Sequence, residues 1–456
     1  ECVRWSDGST AAVRTCVIEE NTDFFAEFRA TGLTEGAIDA KFSVTKNKKV
    51  NVVYNVQPRT QYLIEKVSFQ NKGTPIEEEI KKTVDKTLLK VGQPFNLDVI
   101  KTERERIDNS LKEKGYYYFH PDNILVQIDS TVNKHKVDLI VKVKENTPEL
   151  SLQPFTIDKV VVFSDYNISS QRNSRNQRNQ ITNEFVLDTV ANYKDFIIVD
   201  PKKKFKPQIY DRTLYFNKGD LYNRTDHNLS LNRLVNLGTF KFVKNQFVIS
   251  DSLNHKFDAY YFLTPNKFKS LRLEVLAKTN SASYAGSELN LNWNHKNFLK
   301  GAEIFTAAIY GGFDYQLGGN KDSNNIYRFG SKFNLIWPRL VAPFKFHSSS
   351  AFVPRTKVSL GYEYQNRTQL YTLHNFTGSF GYIWKEDAKK EHELNILDIT
   401  YVTPEKITPK YEADMANNLS LQRVVEKQLI FGPTYNYTFT NTMLPKKHTF
   451  YYKGGL

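Results

Sequence analysis

Between residues 61 and 146 the apolar positions first alternate, then recur at every third or fourth residue, then alternate again, and these changes of period predict a β-α-α-β-β unit. A strand over residues 62–70 sets Leu63, Val67 and Phe69 on one face. Thr74 is a good N-cap, Pro75 suits the first helical position, and Glu77 completes a capping box. Ile76, Ile80, Val84 and Leu88 then form an apolar stripe. After Gly92-Gln-Pro-Phe95 a second helix starts at Asn96, carries Leu97, Ile100, Ile107 and Leu111 inward, and stops at Gly115. Strands over 123–130 and 136–144 bury Ile124, Val126 and Ile128, then Val137, Leu139, Val141 and Val143.

The same order returns between Phe155 and Leu263. Ile157, Val161 and Phe163 alternate on a strand, and the Asn/Gln/Arg-rich stretch 171–180 reads as a loop inserted after it. Lys218-Gly-Asp-Leu-Tyr-Asn223 parallels Val91-Gly-Gln-Pro-Phe-Asn96, and Leu231, Arg233, Leu234 and Leu237 lead to Gly238. Strands over 240–250 and 256–263 close this second copy. A repeat at such spacing marks modular organisation. Upstream, 38–44 and 49–57 resemble the closing hairpin of a third unit, with Val50, Val52, Tyr54 and Val56 alternating; residues 1–36 predict no element.

After Pro265 the helical stripes vanish. Leu271, Leu273, Val275 and Ala277 oppose Arg272, Glu274 and Lys278, and Leu289, Leu291 and Trp293 oppose Asn290, Asn292 and Asn294. The alternation persists through Phe305 to Tyr315, Phe329 to Trp337, Val358 to Tyr364 and Phe376 to Trp384, blurs over 394–401, returns over Leu429 to Phe439, and restarts at Phe450-Tyr-Tyr452. Segments of about ten residues with aromatics near their ends exceed the usual five or six of a soluble sandwich and suit strands that cross a membrane. They number about eight with a partial ninth.

Composition supports that reading. The 456 residues hold 26 Tyr and 32 Phe, yet mean hydropathy is −0.52, as expected of strands with one greasy and one wet face. No apolar run approaches the roughly 18 residues a crossing helix needs. The chain opens on Glu1 without a secretory leader, so a signal peptide was removed or not included. Cys2 and Cys16 cannot staple the whole chain; a local bridge and two separate thiols both stay open. The net charge of +14 is dispersed, without a recognition-helix pattern; anionic lipid headgroups or acidic protein segments are equally good partners, a merely solvated basic surface accounts for it as well, and no nucleic-acid partner is expected. The histidines, His227, His295 and His392 among them, lack metal-ligand spacing. Gly311-Gly and Gly318-Gly suit packing or a turn, and no nucleophile elbow or Cys/His pair is present. No cofactor, metal or catalytic group is expected, and the chain is not read as an enzyme.

Gly92, Phe95, Arg106 and Gly115, with Gly219, Tyr222, Arg233 and Gly238 in the second copy, resemble a POTRA domain. The shorter interval from Arg233 to Gly238 resembles the POTRA unit beside the barrel in outer-membrane assembly factors of the BamA and TamA type. The segment 286–303, with Gly286, Asn297, Phe298 and Gly301, resembles the second barrel strand and following turn of that family, and Leu335-Ile-Trp-Pro-Arg339 through Pro343-Phe344 resembles its Bacteroidetes TamA-like branch.

The resemblance implies α+β POTRA domains followed by the first part of an antiparallel transmembrane β-barrel. It divides the chain into a partial unit at 1–58, a POTRA domain at 59–147, a barrel-proximal POTRA domain at 154–264 with an insertion at about 165–210, and the N-terminal half of a barrel at 266–456. It also implies a place in the bacterial outer membrane with the POTRA domains in the periplasm. The expected partners are unfolded outer-membrane proteins, outer-membrane lipids and further assembly components. Clients would add strands to POTRA edges, with 123–130 and 240–250 the candidates and simple spacing of the barrel from its partners an equal alternative, and to a lateral gate at the first barrel strand, 269–279, through Leu271, Arg272, Leu273, Glu274 and Val275. By alternation Arg272, Glu274 and Lys278 would face the lumen. A two-partner secretion pore and a soluble β-rich binding protein are the rival readings.

Overall fold

The computed structural model describes residues 2–5, 15–17, 26–28, 36–45, 49–58, 61–133, 135–166, 190–279, 284–316, 325–343, 350–416, 418–443, 445 and 448–456. It divides into two units, Glu1–Thr156 with Leu221–Arg224, and Ile157–Asp220 with Thr225–Leu456.

The first unit begins with β1 (Cys2–Trp5), β2 (Thr15–Val17), β3 (Ala26–Phe28), β4 (Gly36–Thr45) and β5 (Lys49–Pro58). β4 and β5 form the expected hairpin, and β2 extends it in the order β2-β5-β4. The first 36 residues thus contain strands that alternation did not reveal, because three or four residues are too few to show a period of two. Cys2 and Cys16 lie on β1 and β2, strands of different sheets; their side chains fall outside the described residues.

The β-α-α-β-β unit follows as β6 (Leu63–Phe69), α1 (Pro75–Lys81), α2 (Leu97–Lys112), β7 (Ile124–Asn133) and β8 (Lys136–Val143), with β6 parallel to β8 and β7 antiparallel to it. The Glu77 carboxylate accepts from the Thr74 hydroxyl (2.8 Å) and backbone N–H (3.3 Å), which fixes the start of α1. Ile76, Ile80, Ile100, Ile107, Leu111, Ile124, Val137, Leu139 and Val141 form one core.

Four expected inward positions are corrected. Ile64 is buried in place of Leu63, because the register of β6 shifts between Ile64 and Lys66 and the extra residue moves the strand to its other phase. Leu89 is buried and Leu88 exposed, because α1 ends at Lys81 and a 3-10 turn over Val84–Lys86 resets the helical period. Leu97 at the first turn of α2 is exposed, and so is Ile128 on β7.

In the second unit β9 (Thr156–Phe163) is followed, after the expected loop at 171–180, which lies outside the described residues, by β10 (Val190–Tyr193) and β11 (Phe196–Val199). The insertion is therefore more than a loop: its hairpin extends the sheet to the order β10-β11-β9-β13-β12, with β11 parallel to β9. This explains why β9 departs from simple alternation. Val160, Val161 and Val162 are all buried, as a central strand covered on both faces requires. Helix α3 (Gln208–Thr213) and α4 (Arg224–Asn236) precede β12 (Phe240–Asp251) and β13 (Lys256–Pro265), where Phe257, Ala259, Tyr261 and Leu263 alternate inward. The buried Tyr210 hydroxyl donates to Ser164 Oγ at 2.7 Å.

The remainder is a nine-stranded antiparallel meander of the kind that makes up half of a β-barrel. It runs through β14 (Lys269–Thr279), β15 (Tyr284–His295), β16 (Ile304–Gln316), β17 (Ile326–Trp337), β18 (Arg355–Arg367), β19 (Tyr371–Lys385), β20 (Lys390–Ile407), β21 (Gln428–Thr440) and β22 (Tyr451–Gly455). Two short helices, α5 (Pro409–Ala416) and α6 (Leu419–Val424), lie between β20 and β21.

Register follows side-chain chemistry from strand to strand. Leu273 pairs with Leu291 and Leu291 with Ile309 on one face; Glu274 pairs with Asn290 and Asn290 with Tyr310 on the other. On that polar face Arg328 pairs with Asp314 at 2.6 Å, and Lys278 pairs with Glu288. The blurred stretch 394–401 has a definite cause: Gly381 faces Asn395 while Phe380 faces Leu397, so Ile396 is the extra residue of a bulge. Leu394 and Leu397 consequently share a phase that strict alternation would deny them.

Candidate functional site

The two copies of the repeat are stitched by the same backbone bonds. Gly92 N–H donates to Ile64 O at 2.8 Å, Ile64 N–H to Gln93 O at 3.0 Å and Phe95 N–H to Tyr62 O at 2.8 Å. In the second copy Gly219 donates to Ile157 O (2.7 Å), Ile157 to Asp220 O (2.8 Å) and Tyr222 to Phe155 O (2.9 Å). The turn requires a left-handed residue, which Gly92 (φ +82°) and Gly219 (φ +88°) supply at little cost. Phe95 and Tyr222 are the buried anchors that follow. Gly115 and Gly238 also have positive φ, where the chain leaves each second helix.

These bonds decide which strand edges are open. The 92–95 segment occupies the outer edge of β6, leaving β7 at the opposite end of its sheet, paired only with β8 among the described residues. In the second unit β12 ends the sheet and pairs only with β13 among the described residues. Both candidate segments, 123–130 and 240–250, lie on end strands of their sheets among the described residues. At the start of the meander, β14 pairs with β15 alone among the described residues. Its Leu271, Leu273 and Val275 are 68%, 62% and 73% exposed, while Arg272 and Glu274 lie on the other face as an ion pair at 3.1 Å.

Within the second unit, the turn between β15 and β16 is bound to the α+β part. Asn297, only 4% exposed, donates from Nδ2 to Lys204 O at 2.9 Å and accepts the Ala302 N–H at 2.9 Å. Lys206 N–H donates to Lys300 O at 2.7 Å, and the Thr239 hydroxyl to Lys296 O at 3.1 Å. The buried Glu303 carboxylate accepts from Gly301 N–H (2.7 Å) and Leu299 N–H (3.2 Å), which holds the turn closed. Gly286 sits against β16 so closely that a Cβ would lie 2.5 Å from Phe313 O. Phe298 stacks on Phe305 with centroids 4.5 Å apart, on the margin of the apolar face.

The equivalent arginines differ in use. Arg106 makes a bidentate pair with Glu103, at 2.9 and 2.7 Å, inside its own domain. Burial tends to raise the Glu103 pKa, but bonds from Arg106, the Leu88 N–H and the Thr87 hydroxyl outweigh it and hold the group below the ordinary glutamate range. Arg233, whose burial lowers its pKa, stacks on Tyr215 at 4.7 Å and donates to carbonyls of other segments. Motif spacing marked both arginines. It did not mark Glu103, Ser230, Lys204 or Glu303; an Arg three residues after a Glu on one helix was the only available signal, and it pointed to Glu103 alone.

Other residues singled out in the sequence have ordinary settings. His392 stacks on Trp384 at 4.9 Å and shares a hydrogen bond with the Tyr435 hydroxyl, and His295 lies among Phe268, Trp293 and Phe298. Gly311 and Gly312 lie in β16 opposite Leu289 and Glu288; Gly318-Gly lies outside the described residues. Among the described residues no group of three or more His, Cys, Asp or Glu side chains is placed to hold a metal ion. No helix of the described residues is long and apolar enough to cross a membrane, which says nothing of crossing by strands.

Comparison with known proteins places the first α+β unit. Residues 62–146 match the POTRA family model, described as surface antigen variable number repeat. The unit is a POTRA domain, and the chain joins it to a large antiparallel sheet. No curated protein matches the chain in sequence. Among solved structures, Haemophilus ducreyi BamA lacking POTRA domains 1–3 is similar at 10% identity over 86% of this chain and 87% of that one, with a TM-score of 0.38. POTRA domains 3–5 of Haemophilus influenzae BamA are similar at 16% identity over 51% and 74%, with a TM-score of 0.29. CdiB from Acinetobacter baumannii is similar at 10% identity over 88% and 69%, with a TM-score of 0.32. Likeness this distant leaves the functional reading to the residues of this chain.

Proposed function

We propose that this chain belongs to an outer-membrane machine that inserts other β-barrel proteins, with the POTRA units in the periplasm and the nine-stranded sheet in the bilayer. The observation that carries the reading is the two-faced sheet joined to the POTRA domain: its eleven-residue first strand, β14, exposes Leu271, Leu273 and Val275 on one face and sets Arg272 and Glu274 on the other. In hydrocarbon every strand of such a sheet needs both backbone edges paired, because each unmet N–H or C=O costs several kcal/mol. A client strand meets that demand through main-chain bonds, with little requirement on its sequence. The open edges of β7 and β12 offer the same chemistry in water, at lower affinity, because water competes for the same groups. Leu271, Arg272, Leu273, Glu274 and Val275 then act as a gate through their backbone. We propose the Bacteroidetes TamA-like branch on the resemblance carried by residues 335–344.

Leu273 exchanged for a photocrosslinking residue in the full gene product tests this. Crosslinks to many newly made outer-membrane proteins, and loss of many such proteins on depletion, are the expected result. Crosslinks to one exported protein, with only that protein lost, would establish a dedicated secretion pore instead. Release of the full-length protein by carbonate washing would sink both membrane readings.

A further inference from the structure

The first repeat carries Glu103 three residues before Arg106; the second carries Ser230 three residues before Arg233. Glu103 performs two tasks. Its carboxylate accepts the Leu88 N–H at 2.9 Å, and it holds the Arg106 guanidinium in a two-point pair. Ser230 performs the first task alone: its hydroxyl accepts the Tyr215 N–H at 3.0 Å, and the two bonds span the same 15 residues of sequence. A neutral hydroxyl cannot perform the second, since it offers neither the charge nor the paired oxygens that match a guanidinium.

Arg233 is directed elsewhere as a result. Its Nε and Nη2 both donate to Ser350 O, at 3.0 and 2.9 Å, and Nη1 donates to Arg212 O at 3.1 Å. Tyr215, standing where the first copy has Leu88, supplies the ring face on which the guanidinium lies. Ser350 belongs to the segment leading into β18, and two more bonds join the same pair of elements. Asn236 Nδ2 donates to Ala351 O at 3.2 Å, and Arg355 Nη2 donates to Asn236 O, at the last residue of α4, at 2.8 Å.

We infer that position 230 selects what its domain's arginine holds, and that in this chain a serine there makes Arg233 a latch fixing helix α4 to the segment before β18. A carboxylate at this position keeps the arginine inside the domain, as in the first copy; a hydroxyl hands it to the sheet. Arg233 is a positioning residue, setting the stance of the second α+β domain against the strands. This holds whether the machine inserts clients or exports one protein.

The test uses the full chain in lipid nanodiscs, with Cys2 and Cys16 replaced by Ser and spin labels attached at Asn232→Cys on α4 and Ala388→Cys between β19 and β20. S230E is expected to recapture Arg233 and broaden the interlabel distance distribution as much as R233Q does, whereas S230A leaves it as in the parent. R233K, which keeps the charge but loses the fork, is expected to broaden it too, and this arm decides if the larger S230E side chain prevents folding. A parent-like distribution in S230E and R233K, or equal broadening in S230A and S230E, would overturn the inference.

Discussion

The side-chain amide of Asn297 donates to the backbone carbonyl of Lys204 at 2.9 Å, while its oxygen accepts the Ala302 N–H at the same distance. One buried residue thus closes the turn between β15 and β16 and ties that turn to the α+β part of its unit. Replacing it with Asp separates the two functions, since a carboxylate still accepts from Ala302 but has nothing to donate to Lys204.

Asn297→Asp is therefore expected to keep the turn and lose the tie, at about 1–3 kcal/mol, with Asn297→Ala losing both. Hydrogen exchange at Lys206, whose N–H donates to Lys300 O, is the measurement. Faster exchange at Lys206 with protection of Ala302 retained is the predicted pattern for Asp; faster exchange at both is predicted for Ala.

Gly286→Ala should loosen the pairing of β15 with β16. The added Cβ would meet Phe313 O at 2.5 Å, and a backbone oxygen in a ladder cannot yield without shifting a strand. A loss of about 1–3 kcal/mol is expected, read as a lower melting temperature of the folded sheet in detergent. Gly432→Ala is the control, because a Cβ there meets nothing within 4 Å.

Leu291→Arg and Asn292→Arg should differ sharply although the residues are adjacent. Leu291 shares the apolar face with Leu273 and Ile309, and a cation there costs about 2–4 kcal/mol near the middle of a bilayer. Asn292 shares the polar face with Arg272, where the cost is small. Folding yield into lipid vesicles separates the two, and equal yields would argue against the membrane assignment of this sheet.

Glu103 links the stability of the POTRA domain to pH. Its pKa in the folded state is depressed, so its stabilisation is fully present above the ordinary glutamate value and is lost as pH falls through the folded value. Glu103→Gln removes the charge at all pH and leaves the Arg106 guanidinium without its partner, at a cost of about 3 kcal/mol. Exchange of the α2 amides, followed from neutral pH to below pH 4, should show the parent converging on the variant as the acid limit is approached.

The two α+β units were legible because their punctuation is local. Thr74, Pro75 and Glu77 start a helix, and Gly92 and Gly219 impose a left-handed turn, by chemistry confined to a few residues. The strands at 123–130 and 240–250 were legible because they alternate clearly, but which edge of each sheet is open came only from the strand order. What was not legible depended on a neighbour. Ile64, Leu89 and the Ile396 bulge each follow a one-residue change of phase that the partner strand or helix selects, and the hairpin of β10 and β11 joins β9 from inside an insertion.

By itself the sequence determined the repeated unit, the two-faced strands after Pro265 and the positions of Arg106 and Arg233, since periodicity and backbone chemistry act within one element. Only the tertiary structure decided what Arg233 holds. Arg106 has a carboxylate three residues away on its own helix, whereas with Ser230 at that position the acceptor for Arg233 is the carbonyl of Ser350, 117 residues away, which only the fold brings within reach.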